Sequence, residues 1–361
     1  MRKTLTARSL VLVPSIILIL LSGSAVYAPA VGATDPPAGT ASAAASWGVN
    51  LHPEDTEYDI GRAVLAFSHI RDLGCRFVRT DFWWSELEPR VDCWNEERFQ
   101  WFSDYLGAAR KKGLQVQVVL TGAPGWARDL YRSTPAGFFE EYQEYCAEVA
   151  KRYGARVHYY QMWNEADSIL DFVVPWDDWR LFTNARSGLG KYDDDFETYV
   201  NLVAGLPWSE PTIDGWMRRA GAAIDIIGLD YYPRTWLIAP PGDWAPLKRL
   251  LKKITDPSDP CYGKKAAVQE TGFATFCPLG HSEQDQIAWI NTSLPALREV
   301  VRTHNRDHPN RIISCNWYEL IDADTSGGIW PEPHFGILRD DRSKKPAYGA
   351  LKKRIYGFRI E

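Results

Sequence analysis

From position 157 the chain reads Val157-His158-Tyr159-Tyr160-Gln161-Met162-Trp163-Asn164-Glu165. A short apolar run rich in aromatic and β-branched residues argues for a buried strand. It runs without a turn residue into an amide and a carboxylate, so the strand delivers polar groups at its C-terminal end. Lys265-Ala266-Ala267-Val268-Gln269-Glu270, followed by Thr271 and Gly272, repeats the pattern. Working outward from these two, strand-like runs are expected over Trp47 to Leu51, Arg76 to Asp81, Gln115 to Thr121, Val157 to Trp163, Tyr199 to Ala204, Ile224 to Tyr231, Lys265 to Glu270 and Ile312 to Trp317.

Between the runs lie helical patterns. Phe99, Phe102, Leu106 and Ala109 recur at helical spacing over Asn95 to Lys112, and Phe139, Tyr142, Cys146 and Val149 do so over Pro135 to Arg152. Gly113 and Gly154 are expected to stop these two helices. A short helix is expected over Pro211 to Ala223 and a last one over Pro346 to Tyr356. Alternating strands and helices mean a parallel sheet covered by helices. Eight such units predict an α/β protein built as a single (β/α)8 TIM barrel rather than an open doubly wound sheet.

The ends and composition bound the rest. Arg2, Lys3 and Arg8 precede an apolar run from Leu10 to Leu21, and small residues lead to Ala28 or Ala33, so residues 1–33 read as a signal peptide. The run is shorter than the roughly 20 residues of a bilayer span, which leaves an uncleaved anchor as the alternative. Residues 34–46, rich in Pro, Gly, Ala and Ser, read as a flexible tether, and 47–361 as the catalytic domain. Secretion after cleavage follows. The formal charge of -5 becomes more negative once the three leader cations leave, and no basic stripe offsets it, so nucleic acid is not an expected partner. The six cysteines permit disulfides in an exported chain, with Cys261 and Cys277, in loops flanking one strand, as the preferred pair. Cys146 and Cys315 fall inside a helix and a strand and read as buried small hydrophobes.

Active sites of such barrels form where strands end and the following loops begin. Glu165 after the fourth strand and Glu270 at the end of the seventh meet that test. A carboxyl pair facing one bond can cleave a glycoside: one group protonates the leaving oxygen. The other attacks the anomeric carbon if the two sit about 5 to 5.5 Å apart, or activates water if they are farther apart. The residues leave that choice open. Either glutamate alone could be an ordinary strand-end carboxylate paired with arginine or capping a helix.

On these residues the chain resembles glycoside hydrolase clan A, whose acid/base and nucleophile follow strands four and seven, with Asn directly before the acid/base, as Asn164 precedes Glu165. The first half, with Trp47-Gly48-Val49-Asn50, the run Phe77 to Trp84, Glu88-Pro89 and Ala123-Pro124-Gly125-Trp126-Ala127, is similar to family 39 and to some family 5 members. The resemblance implies a retaining β-glycosidase with Glu165 as acid/base and Glu270 as nucleophile. It also implies Arg79 beside the nucleophile, Asn164 on the sugar 2-hydroxyl, Tyr232 donating to the nucleophile, and Trp317 as floor of the subsite nearest the cleaved bond. Many relatives carry a histidine just before that tyrosine, where this chain has Asp230 or Tyr231.

His52 and Asn50, ending the first strand, are expected to bind hydroxyls. Among the sixteen tryptophans, Trp83, Trp84, Trp126, Trp176, Trp236 and Trp330 fall in loops on the same face, where flat rings suit the C–H faces of sugars. Competing chemistry lacks its motifs: there is no Gly-x-Ser-x-Gly, no phosphate-binding loop and no His-Glu-x-x-His. His304 and His308 lack a third ligand, and Asp193 to Asp195 lack calcium-loop spacing. No cofactor and no metal are therefore expected. The partner is a carbohydrate substrate, with no membrane partner beyond an uncleaved anchor, and the chain is expected to be a monomer. Two alternatives remain, a transglycosylase on the same site and a non-catalytic carbohydrate-binding barrel. Sugar, linkage, and endo or exo action stay open.

Overall fold

The computed structural model describes residues 46–168, 172–173, 178–235, 239–276, 279–308, 312–323 and 331–359. The expected leader and nearly all of the tether, together with Trp176, Trp236, Cys277 and Trp330, lie outside the described residues.

Eight parallel strands close into a barrel in sequence order: β1 (Ser46–Asn50), β2 (Phe77–Trp83), β3 (Gln115–Thr121), β4 (Tyr159–Met162), β5 (Glu197–Val203), β6 (Ile226–Asp230), β7 (Lys265–Thr271) and β8 (Ile312–Trp317). β8 pairs with β1, Cys315 opposite Trp47, so no sheet edge is left open. Helices connect the strands on the outside. The helix Glu96–Lys111 starts where Asn95 accepts the Arg98 N–H and ends before Gly113, which takes φ 70°.

Gly154 stops its helix as expected, in a right-handed conformation, and a 3-10 turn, Gly154–Arg156, leads from it into β4. Two other sequence expectations are refined. The fourth strand is shorter than expected because Trp163 turns into a left-handed conformation at φ 76°. The short helix runs over Ser209–Ala220, with Pro211 in its first turn, where the missing N–H costs nothing. Cys146 and Cys315 are buried, as their positions implied. Cys261 is buried as well and is in no disulfide. Among the described residues no helix is long and apolar enough to cross a membrane.

The main apolar core fills the space between strands and helices, and Trp84, Trp216, Trp244, Trp289 and Trp317 are buried in it. Inside the barrel the packing changes character. Its lower part is aromatic, with the Phe77 ring edge-on to Tyr159 at 5.6 Å and Tyr199 against Ile226 and Ala267. Above it lies a layer of amides. Asn316 donates to Gln117 (2.8 Å) and Gln269 (3.0 Å), Gln269 donates to Gln161 (3.3 Å), and Gln161 accepts from Arg79 Nε (2.9 Å). The amides satisfy one another where water is excluded, the condition for burying such groups, except that Asn316 Oδ1 is left without a partner. Glycine makes the room: a Cβ at Gly48 would fall on Asn316 Oδ1, and one at Gly228 on Gln269 Cγ. The amide layer is the platform on which Arg79 and the site above it stand.

Candidate active site

Glu165 and Glu270 meet at the C-terminal mouth of the barrel. Chain geometry aims both. After β4 the backbone passes through two left-handed residues, Trp163 and Glu165 at φ 45°. Each such residue costs on the order of 1–2 kcal/mol, and residues held this way concentrate at functional sites. The turn is pinned where Glu165 N–H donates to Asn201 Oδ1 at 2.9 Å and where Asp167 accepts from Val203 N–H at 3.1 Å.

Glu270 is aimed by a bulge. Along β6 and β7 the register passes from Leu229 opposite Val268 to Asp230 opposite Glu270, which leaves Gln269 as an extra residue. In a regular strand Gln269 and Glu270 would face opposite sides. With the bulge both turn inward, Gln269 into the amide layer and Glu270 into the site above it.

The two glutamates occupy opposite electrostatic environments. Glu270, 6% exposed, takes Arg79 Nη1 at 2.7 Å on one oxygen and the Tyr232 hydroxyl at 2.5 Å on the other. A guanidinium and a phenolic donor both stabilise negative charge there. Burial works against charge on Arg79, but Glu270, Asp230 and Asp81 raise its pKa, and burial together with Glu270 holds Tyr232 protonated. No cation is paired with Glu165 among the described residues. Burial first, then the charges of Glu270 and Asp167, push its pKa up to about 8. At neutral pH one carboxyl is thus an acid and its neighbour is held by a cation, the division of roles that a proton donor and a nucleophile require.

Of the remaining expected residues, Asn164 is at the centre: its Oδ1 accepts from Arg79 (2.8 Å), Asn201 (2.9 Å) and Gln161 (3.0 Å). His52 Nδ1 meets Asp81 Oδ2 at 2.5 Å, and its Nε2 lies 3.3 Å from the Tyr318 hydroxyl. Burial opposes its charge, but Asp81, Asp55 and Glu319 raise its pKa well above the ordinary value. Asn50, 1% exposed, keeps both side-chain polar atoms without a hydrogen-bond partner.

The tryptophans divide differently from the expectation. Trp84 and Trp317 have no exposed surface to offer a sugar. Trp84 packs on Trp126, Phe138, Tyr142 and Tyr145, and its indole N–H donates to Glu88. Trp317 packs against Trp289 at 5.8 Å, facing outward from β8 into the helical shell. Tyr318, the next residue, turns to the mouth instead: its ring lies edge-on to Tyr232 and its hydroxyl donates to the exposed Glu332 at 2.6 Å. Trp83 and Trp126 are half-buried.

Sequence reasoning missed Asn201, Asp81, Asp167, Tyr318 and Glu332. For Asn201 and Asp81 a signal existed, since they share the inward parity of their strands with Tyr199 and Arg79. For Glu332 there was none. Asp230 is fully buried between the two glutamates, and one carboxylate oxygen from each of Glu165, Asp230 and Glu270 lies within 4.8 Å of the others. That spacing suits a cation, but the Arg79 guanidinium already lies against the cluster and would repel one. Asp214, Asp259 and Cys261 are similarly grouped, with the Lys253 ammonium on both aspartates, at 2.8 and 2.9 Å.

No family model matches the chain, and no curated protein matches it. Solved structures do. An exo-β-1,4-mannosidase from Opitutaceae bacterium strain TAV5 superposes with a TM-score of 0.65 at 15% identity, over 87% of this chain and 59% of that one. A family 39 glycoside hydrolase from Bacteroides cellulosilyticus WH2 gives 0.60 at 21% identity, over 86% and 63%. A GH5_18 protein from Streptomyces cattleya, solved with GlcNAc, gives 0.68 at 15% identity, over 89% and 82%. The chain therefore spans less than two thirds of the first two. At these identities the likeness establishes the shared barrel.

Proposed function

We propose that this protein is a retaining glycoside hydrolase working by double displacement, with Glu165 as acid/base and Glu270 as nucleophile. The observation that carries the reading is the pairing of a carboxyl whose pKa is raised to about 8 with one held by Arg79 and Tyr232, one oxygen of each lying within 4.8 Å of the other. That separation leaves no room for the water an inverting enzyme places between its carboxyls, which sit about 6.5 Å or more apart. In the first half-reaction Glu165 gives its proton to the leaving oxygen while Glu270 attacks the anomeric carbon. In the second, Glu165 takes a proton from water as the water displaces Glu270. Asn164, held by three donors, offers its free amide N–H groups to the sugar 2-hydroxyl. Similarity in fold to a mannosidase, a family 39 hydrolase and a GH5_18 protein supports a carbohydrate substrate. The basic start and apolar run of residues 2–21 support export.

The test is a panel of 2-deoxy-2-fluoro glycosides with good leaving groups, spanning gluco, manno, galacto and xylo configurations. One of them should add a single glycosyl mass to the peptide carrying Glu270, and the Glu270→Gln variant should stay unlabelled. No adduct and no turnover of any aryl glycoside would overturn the reading.

A further inference from the structure

Glu165, Asp230 and Glu270 form one cluster at the mouth, and among the described residues the one fixed cation against that cluster, Arg79, is used up. Arg79 spends Nη1 on Glu270, Nη2 on Asn164 and Nε on Gln161. None of these bonds reaches Asp230 or Glu165. Asp230, 1% exposed, accepts from Asn201 Nδ2 at 2.5 Å through Oδ2, and its Oδ1 is buried without a partner. Two carboxylates cannot both be ionised side by side in a buried site without a second cation; a proton is the remaining way to neutralise one.

We propose that Asp230 is a positioning residue that keeps a proton on Oδ1 and donates it in a hydrogen bond to Glu165, fixing which Glu165 oxygen carries the catalytic proton and stabilising Glu165 when it is ionised. The inference rests on the glycoside hydrolase reading of Glu165 and Glu270.

Asn201 fixes the arrangement. Its Nδ2 donates to Asp230 Oδ2, so that oxygen is an acceptor, and the proton belongs on the other. Its Oδ1 takes the backbone N–H of Glu165 at 2.9 Å, so one amide on β5 holds both acids in register. The charged and titratable groups facing Asp230 are Glu165 from the loop after β4, Glu270 from β7, Arg79 from β2 and Tyr232 after β6. Burial and the first two push its pKa well up, and Arg79 and Asn201 offset only part of that. Through the reaction the Asp230 proton does not leave. When Glu165 has protonated the leaving group, the Asp230 O–H donates to the new anion. When Glu165 has taken a proton from water, it donates to the uncharged carbonyl oxygen. No proton is gained or lost.

The experiment compares Asp230→Asn with Asp230→Leu. The amide of Asn reproduces a protonated carboxyl, accepting from Asn201 and donating to Glu165; Leu keeps the bulk and removes both. Asp230→Asn is expected to keep the alkaline limb of kcat/KM within about 0.3 pH units of the parent and to lower kcat only a few-fold, whereas Asp230→Leu moves that limb upward and lowers kcat by about 30-fold or more, in line with the loss of one preorganised donor. A downward move of the limb by a unit or more in Asp230→Asn would mean that a charge was removed, and overturns the proposal. So would an Asp230→Leu enzyme with the parent's kcat and limb. Circular dichroism and thermal unfolding of both variants separate misfolding from chemistry. A second measurement needs no turnover: carboxyl 13C NMR of protein labelled at aspartate, with the Asp230 signal assigned by its loss in Asp230→Asn. It should report a protonated carboxyl at pH 7, and an ionised one overturns the proposal. If the parent cleaves no glycoside, the functional reading fails on its own while this titration still decides the shared proton.

Discussion

Replacing Arg79 with Met should be among the most damaging single changes in the site, for a reason that can be isolated. The Arg79 and Glu270 side chains are 2% and 8% exposed, so solvent screens their ion pair little. Met keeps the aliphatic stem but removes the donors to Glu270, Gln161 and Asn164. Breaking a buried pair by taking one partner costs about 3–5 kcal/mol, most of it from the charge left behind. The loss should therefore depend on Glu270 being a carboxylate. Arg79→Met alone should lower the unfolding free energy by about 4 kcal/mol, whereas Arg79→Met in a Glu270→Gln background should lower it by about 1–2 kcal/mol, the share of its two hydrogen bonds to the uncharged amides of Gln161 and Asn164, net of the cost of burying the guanidinium. Denaturant unfolding of the four proteins at pH 7, with a common slope, gives the coupling energy directly. A coupling of about 2 kcal/mol or more is expected. A value below about 0.5 kcal/mol would refute the claim that Arg79 is there to hold charge on Glu270.

Two further outcomes follow from the site. Glu165, raised to about 8, is protonated below that pH and ionised above it, so kcat/KM should be lost as pH rises through about 8, and Glu165→Gln should abolish that limb for substrates whose leaving group needs no proton. An alkaline limb unchanged in Glu165→Gln would assign the acid elsewhere. Trp84→Ala removes a fully buried ring and the indole donor to Glu88 Oε2, leaving Glu88 only the Asp92 N–H, so it should cost roughly 3–5 kcal/mol of stability with KM unchanged; a raised KM at parental stability would return Trp84 to the cleft.

Much of this molecule was legible in its sequence because the signals are local. Strand and helix alternate with the periods that a half-buried or buried element imposes, and each of the eight expected strands is present in β1 to β8. Glu165 and Glu270 stand at strand ends four and seven by counting alone, and a parallel barrel puts all such ends on one face. Arg79, Asn164 and Tyr232 were singled out by the resemblance to clan A rather than by counting.

What the chain order could not decide was which way neighbouring residues face and what they meet. Strand parity ought to have hidden either Gln269 or Glu270 from the interior, and only the bulge against β6, a property of two strands together, turns both inward. Likewise Trp317 and Tyr318 were interchangeable as aromatic strand-end residues until packing sent the first to Trp289 and the second to the mouth. Charge balance is still less local. Asp230 looked like a missing histidine, and its meaning came from the single guanidinium beside three carboxyls, from the loop after β4, from β6 and from β7, of which it bonds only Glu270. Sequence lays out which groups exist and at which end of the barrel; burial, distance and the number of cations within reach, which set protonation, exist only once the barrel closes.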